Sequence, residues 1–141
     1  MKVIQCLTLI FMILSIVAGS FLIPVTAAAC LREFTVIPAF LIPMVMLWAI
    51  TFVLFIKTKR QPIRLTIREG ILLVCCAWVG AGLLGAVPFV LSGLVPCFSD
   101  ALFESVSGFT TTGASVLKNI EAYPMALRVW RTQMHWLGGM G

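Results

Sequence analysis

Ser99-Asp100-Ala101-Leu102-Phe103-Glu104-Ser105-Val106-Ser107-Gly108-Phe109-Thr110-Thr111-Thr112-Gly113-Ala114 is the stretch whose reading decides the fold. Its first part, Ser99 to Phe109, is moderately apolar. At about 11 residues it is too short to cross the ~30 Å hydrocarbon core of a bilayer. Ser99 is predicted to cap this short helix, and Asp100 suits the positive end of the helix dipole. Gly108 stands where the helix can end. Three β-branched threonines then favour extended backbone, and Gly113 permits angles that other residues resist. Two readings follow. The segment is either a re-entrant pore loop that enters and leaves the membrane on one side, or an ordinary external loop between two spans.

Long apolar runs flank this stretch. Val3 to Ala29 forms the first, with Pro24 expected to kink it near its end. Ala27-Ala28-Ala29 before Cys30 has the look of a signal-peptide cleavage site. The run is nearly twice the length of a signal h-region, however, which favours an uncleaved helix. After the polar break Leu31-Arg32-Glu33 comes a second run, Phe34 to Ile56, with Pro38 and Pro43 in its first half. It stops at Lys57, Lys59 and Arg60, and Arg64 and Arg68 continue the basic connection to a third run, Ile71 to Leu94. A basic loop between two spans reads as cytoplasmic, so runs one and two form a hairpin with both ends inside. Gly80, Gly82 and Gly85 mark a face where neighbouring backbones can approach closely. The third helix leaves on the outer side near Pro96. A fourth run begins near Met125 and stops at Gly141 before completing a crossing.

Composition agrees with a lipid environment. Hydrophobic residues make up 61% of the chain and charged residues 11%, against about half and a quarter in soluble domains. The net charge of +5 is concentrated in the basic connection rather than on an aromatic-rich basic face, which argues against nucleic acid. Of the five cysteines, Cys6, Cys75 and Cys76 lie in apolar runs, and none forms a C-x-x-C pair. Cys30 and Cys97 share the expected outer side, where a disulfide between them is an open alternative.

In the pore-loop reading each part has a physical task. A dehydrated potassium ion needs protein oxygens in place of its water shell. An extended strand aims successive carbonyls at one axis, threonine hydroxyls add oxygens, and the helix C-terminus brings partial negative charge. Non-helical backbone at membrane depth is tolerated only when buried in protein or lining a watery path.

The same stretch closely resembles the first pore loop of the Trk/Ktr/HKT potassium transporter superfamily, in its bacterial TrkH branch. Trp130-Arg131, Gln133 and Trp136-Leu137-Gly138-Gly139-Met140-Gly141 resemble the start of the helix that follows that loop. Arg68-Glu69-Gly70 and Gly85-Ala86-Val87-Pro88-Phe89 match as well. The resemblance implies an all-α polytopic membrane protein. An N-terminal hairpin (1–66) precedes one helix–pore loop–helix unit of the potassium-channel type (67–141), whose last helix is incomplete. It implies potassium as the transported ion, bound by backbone oxygens at Thr111 and Thr112 and on through Gly113 and Ala114, with Ser99, Asp100, Glu104 and Thr110 in support. It also implies three further pore units in the same polypeptide, a homodimer, a cytosolic nucleotide-binding regulatory subunit of the TrkA kind, and a bacterial inner-membrane location with a cytoplasmic N-terminus. Potassium uptake is the leading reading, with one quarter of the selectivity filter on this chain. A non-conducting assembly or scaffold subunit is the alternative.

Other residues carry weaker signals. Asp100 and Glu104 share a helix face. An acid–base pair is conceivable, but support of the short helix or attraction of cations at the mouth fits better. His135 is the one histidine and a candidate by its place in an apolar run, although no second metal ligand accompanies it. Arg128 reads as a snorkelling side chain, Arg131 as a structural partner. No nucleophile–base pair or ligand cluster points to an enzyme.

Overall fold

The computed structural model describes residues 2–58, 65–95 and 97–140. Lys59, Arg60, Arg64, Pro96 and Gly141 lie outside the described residues. The regular elements of the described residues are all helical: α1 (Lys2–Gly19), α2 (Leu22–Cys30), α3 (Ile37–Thr58), α4 (Ile67–Leu91), α5 (Phe98–Phe109), a 3₁₀ turn (Ile120–Ala122) and α6 (Met125–Gly139). Three stretches are long and apolar enough to cross a membrane: Ile4–Cys30, Ile37–Thr58 and Ile67–Leu91. The chain is an all-helical membrane protein.

The first run breaks at Ser20-Phe21, one turn before the expected kink at Pro24. Proline has no N–H, so the bond it would have given to the carbonyl four residues earlier is missing. That carbonyl belongs to Ser20. It accepts instead from Ile23 N at 3.1 Å and from the side-chain amide of Gln133, on α6, at 2.8 Å. A proline-induced break is thereby satisfied from another helix.

α1 and α3 form the predicted hairpin. Lipid offers little hydrophobic drive for helix pairing, so packing and hydrogen bonds decide it. Thr8 and Thr58 hydroxyls lie 2.9 Å apart, Ser15 and Thr51 hydroxyls 2.6 Å, and the Trp48 indole N–H donates to the Ser15 carbonyl at 3.1 Å. α4 starts at Ile67, four residues earlier than the hydropathy suggests. Thr66 accepts from Glu69 N at 3.4 Å, and the Glu69 carboxylate accepts from Thr66 N at 2.8 Å. This reciprocal capping box turns the end of the polar connection into the first turn of a helix.

α5 lies against α4 and α6, where glycines permit close approach. A Cβ at Gly85 would collide with the Ser105 hydroxyl, and one at Gly138 with the Phe109 carbonyl. At Gly108 it would stand 2.9 Å from Met134 Cβ. At the centre Trp130, fully buried, makes edge-on contacts with Phe21, Phe40 and Phe109 at centroid distances of 4.6, 6.4 and 6.3 Å. Its indole N–H donates to the Gly85 carbonyl at 3.0 Å. Trp130→Phe keeps the aromatic packing but leaves that buried carbonyl without its donor. The expected loss is about 1–3 kcal/mol, measured by thermal unfolding of the complete polypeptide in detergent. An unchanged midpoint would show that the indole bond contributes nothing.

Candidate functional site

The start of α5 differs from expectation. Its cap position is Cys97, with no side-chain cap, and Ser99 lies inside the first turn. The Ser99 hydroxyl turns back toward the Cys97 thiol at 3.0 Å. Asp100 falls in the first turn as predicted and is exposed. Cys30 and Cys97 are both free thiols.

The end of α5 is also different. Thr110 and Thr111 are not extended. They form a helix C-cap in which Thr111 N bonds to Gly108 O at 2.9 Å and Thr112 N to Ser107 O at 3.0 Å. This pair of bonds is the Schellman arrangement, with Thr111 in the left-handed position that glycine usually fills. Its φ is +56°, a strained conformation for a β-branched residue. The β-propensity of threonine loses here to the need of α5's last carbonyls for donors. Backbone without regular secondary structure begins at Thr112. Gly113 has φ +78°, as its role in the sequence anticipates.

From Thr112 to Leu117 the chain turns back along α5, and α5 satisfies it. Glu104 is the centre of this arrangement. Its side chain is fully buried and accepts from the Ser115 hydroxyl at 2.5 Å and from Val116 N at 2.8 Å. Its other oxygen takes the Arg131 guanidinium at 2.9 Å. Burial acts to raise its pKa. The hydrogen bonds from Ser115, Arg131 and Val116, with the Arg131 charge, outweigh that and hold the carboxyl below the usual carboxylate range. A carboxylate so enclosed does not attract cations at a mouth, so that expectation for Glu104 gives way to a structural one. Nor do Asp100 and Glu104 act as a pair, since one is exposed and the other enclosed.

The carbonyls of the predicted site residues divide into two sets. Ala114 O accepts from the Ser107 hydroxyl at 2.6 Å, and Gly113 O lies 3.5 Å from Arg131 Nη2. Among the described residues, no donor reaches the carbonyls of Thr110, Thr111 or Thr112. Thr110 and Thr112 hydroxyls lie 2.8 Å apart, and Thr110 to Ala114 are all exposed. His135 Nδ1 stands 2.9 Å from the Arg131 carbonyl. No group of three His, Cys, Asp or Glu able to hold a metal occurs among the described residues.

A family model described as TrkH, a cation transport protein, matches residues 36–141 and so contains this whole arrangement. The chain belongs to the TrkH family. Curated relatives in it include the Trk system potassium uptake protein TrkH of Salmonella typhimurium, 40% identical over 94 residues, covering 66% of this chain and 20% of the relative. TrkH of Halomonas elongata is 39% identical over 89 residues, covering 62% and 18%. An uncharacterized cation transporter of Methanocaldococcus jannaschii is 35% identical over 102 residues, covering 72% and 21%. The chain thus spans about a fifth of the length of these relatives.

Two contributors were not singled out by sequence. Ser107 has no local signal, because its partner lies seven residues on in irregular backbone. Glu33, read as part of a polar break, accepts from Met125 N at 3.0 Å and Ala126 N at 3.3 Å and so caps α6. Acidic residues do favour helix N-termini, but nothing local pairs residues 92 positions apart. Removing one partner of a buried ion pair leaves the other uncompensated. Glu104→Ala is therefore expected to destabilise by about 3–5 kcal/mol. The Glu104→Ala/Arg131→Ala double variant should lose clearly less than the sum of the two single losses. Thermal unfolding of the complete polypeptide measures both, and additive losses would show the pair to be uncoupled.

Proposed function

We propose that this chain supplies one of four pore units of a potassium uptake protein, with α4, α5, the segment Thr110–Ser115 and α6 as that unit. The carrying observation is the set of three exposed threonine carbonyls, left without donors at the C-terminal end of α5. The neighbouring Gly113 and Ala114 carbonyls, by contrast, meet Arg131 and the Ser107 hydroxyl. A row of exposed carbonyls with no donor inside the protein is free to take the place of a cation's water shell. The α5 C-terminus adds partial negative charge at the same place.

Thr111 and Thr112 then provide the ion-facing carbonyls of this unit. Side groups of a regular strand alternate between two faces. Positive φ at Thr111 and Gly113, with Thr112 between them at negative φ, breaks that alternation and brings neighbouring carbonyls toward a shared side. Gly113 and Ala114 complete the ligand segment as its bend and its anchor. Thr110 braces it through the hydroxyl contact to Thr112. In this reading residues 1–66 are a supporting hairpin and residues 67–141 the unit proper. The polypeptide is a transporter rather than an enzyme. The names of the relatives, Trk system potassium uptake proteins, support potassium as cargo and a multi-component system. That system would comprise a homodimer in the bacterial inner membrane, the N-terminus and basic connection in the cytoplasm, and a cytosolic nucleotide-binding regulatory subunit. One unit supplies a quarter of each coordination shell, so this chain alone does not conduct.

Gly113→Asp forces a non-glycine residue into positive φ and places a charge beside the ion path. In the complete polypeptide, expressed in a bacterium lacking its own potassium uptake, the variant is expected to lose its preference for potassium over sodium. Competition of rubidium-tracer uptake by each ion reads this out. Full retention of the preference would overturn the assignment of the filter segment.

A further inference from the structure

One residue of α5 holds both ends of the segment proposed to face the ion. The Ser107 carbonyl accepts the Thr112 N–H at 3.0 Å, and the Ser107 hydroxyl donates to the Ala114 carbonyl at 2.6 Å. Gly113 lies between these two anchors. Packing does not restrain it, since a Cβ there would meet nothing within 4 Å and the residue is exposed. Its other polar contact, from Arg131, is long at 3.5 Å. The orientation of the Gly113 and Ala114 peptide groups therefore depends on the Ser107 hydroxyl.

That hydroxyl behaves unlike most others in the chain. Helical serine and threonine commonly return a bond to a carbonyl one turn back in their own helix. Thr8, Thr51, Thr58, Thr110 and Thr132 all do so here. Ser107, only 5% exposed, instead reaches out of α5 to Ala114.

We propose that Ser107 is a positioning residue for ion selectivity. Its hydroxyl turns the Ala114 carbonyl inward and so fixes the path of Thr112–Gly113 along the ion route. This rests on the reading of Thr111 and Thr112 as ion ligands. Without the hydroxyl the Ala114 peptide is released and the Gly113 peptide shifts with it. The backbone bond from Thr112 to Ser107, and with it the helix cap, stays in place. Discrimination between potassium and sodium depends on where the oxygens are held, whereas permeation itself tolerates a looser ring.

The test is Ser107→Ala and Ser107→Thr in the complete polypeptide, with the potassium-over-sodium preference measured in proteoliposomes from reversal potentials. Ser107→Ala is expected to lower the preference roughly threefold to tenfold, the equivalent of one hydrogen bond, while total cation flux persists. Ser107→Thr, which keeps the hydroxyl, should restore it. Should Ser107→Ala fail to reach the membrane, Ser107→Cys, of similar size with a weak donor, carries the same expectation. Unchanged preference in the hydroxyl-less variant would overturn the assignment, as would an equal loss in Ser107→Thr. Absence of potassium flux in the unaltered protein would instead overturn the reading of the site as a whole, and this inference with it.

Discussion

A carboxylate removed from solvent must find all its hydrogen bonds within the protein, and Glu104 finds them on two different segments. One oxygen takes the Ser115 hydroxyl and the Val116 N–H. The other takes the Arg131 guanidinium from α6. The short helix, the returning segment and the following helix are thus joined at one charged group. A buried ion pair adds little net stability over an apolar replacement, but it penalises every arrangement that separates its members. Its effect here is to exclude alternatives. Residues 112–117 have no regular secondary structure, so their path is set by side chains that meet them, and Glu104 and Ser107 are the ones α5 presents.

The left-handed threonine follows from the same constraint. α5 ends where its last carbonyls need donors, and the chain must reverse at once to bring Ser115 and Val116 back to Glu104. A Schellman cap does both, but it requires positive φ at Thr111. Glycine would take that position without strain, while a β-branched residue costs on the order of 1–2 kcal/mol there. Strained backbone of this kind persists only where surrounding bonds over-determine it. The bonds to Gly108 and Ser107 and the Glu104 cluster supply that. The threonine side chain, costly for the backbone, adds a hydroxyl at the exposed site.

Much of the architecture was legible because hydropathy reports directly on the bilayer. The long helices, the hairpin and the shortness of α5 all follow from run length. Gly82 and Gly85 were readable as close-packing positions, and Gly113 as a special backbone angle. Thr66 and Glu69 carry a readable capping box as well, but hydropathy placed the helix start four residues later because the first turn is polar. What could not be read depends on partners distant in sequence. Pro24 announces a break, but not that Gln133 would satisfy the Ser20 carbonyl. Glu104 announces a charge in an apolar context, but its burial depends on Arg131, 27 positions away. Local propensity misled at Thr110–Thr111, where three threonines in a row suggest a strand and the helix end demands a cap.

The hairpin and the site are mechanically linked through α6, and all three links involve residues 20–33. The Ser20 carbonyl, freed by Pro24, accepts from Gln133. Phe21, at the break, packs edge-on against Trp130 at 4.6 Å. Glu33 caps the first turn of α6 through the Met125 and Ala126 N–H groups. Trp130 precedes Arg131, so the rotation of α6 that seats the indole against Phe21 and the Gly85 carbonyl also sets the direction of the guanidinium. Rotating α6 enough to free Arg131 from Glu104 would unseat Trp130, strip the Glu33 cap and leave the Ser20 carbonyl without its side-chain donor. A break in the first helix, which in isolation is a defect, thereby becomes part of what holds Arg131 on Glu104 and the returning segment on α5.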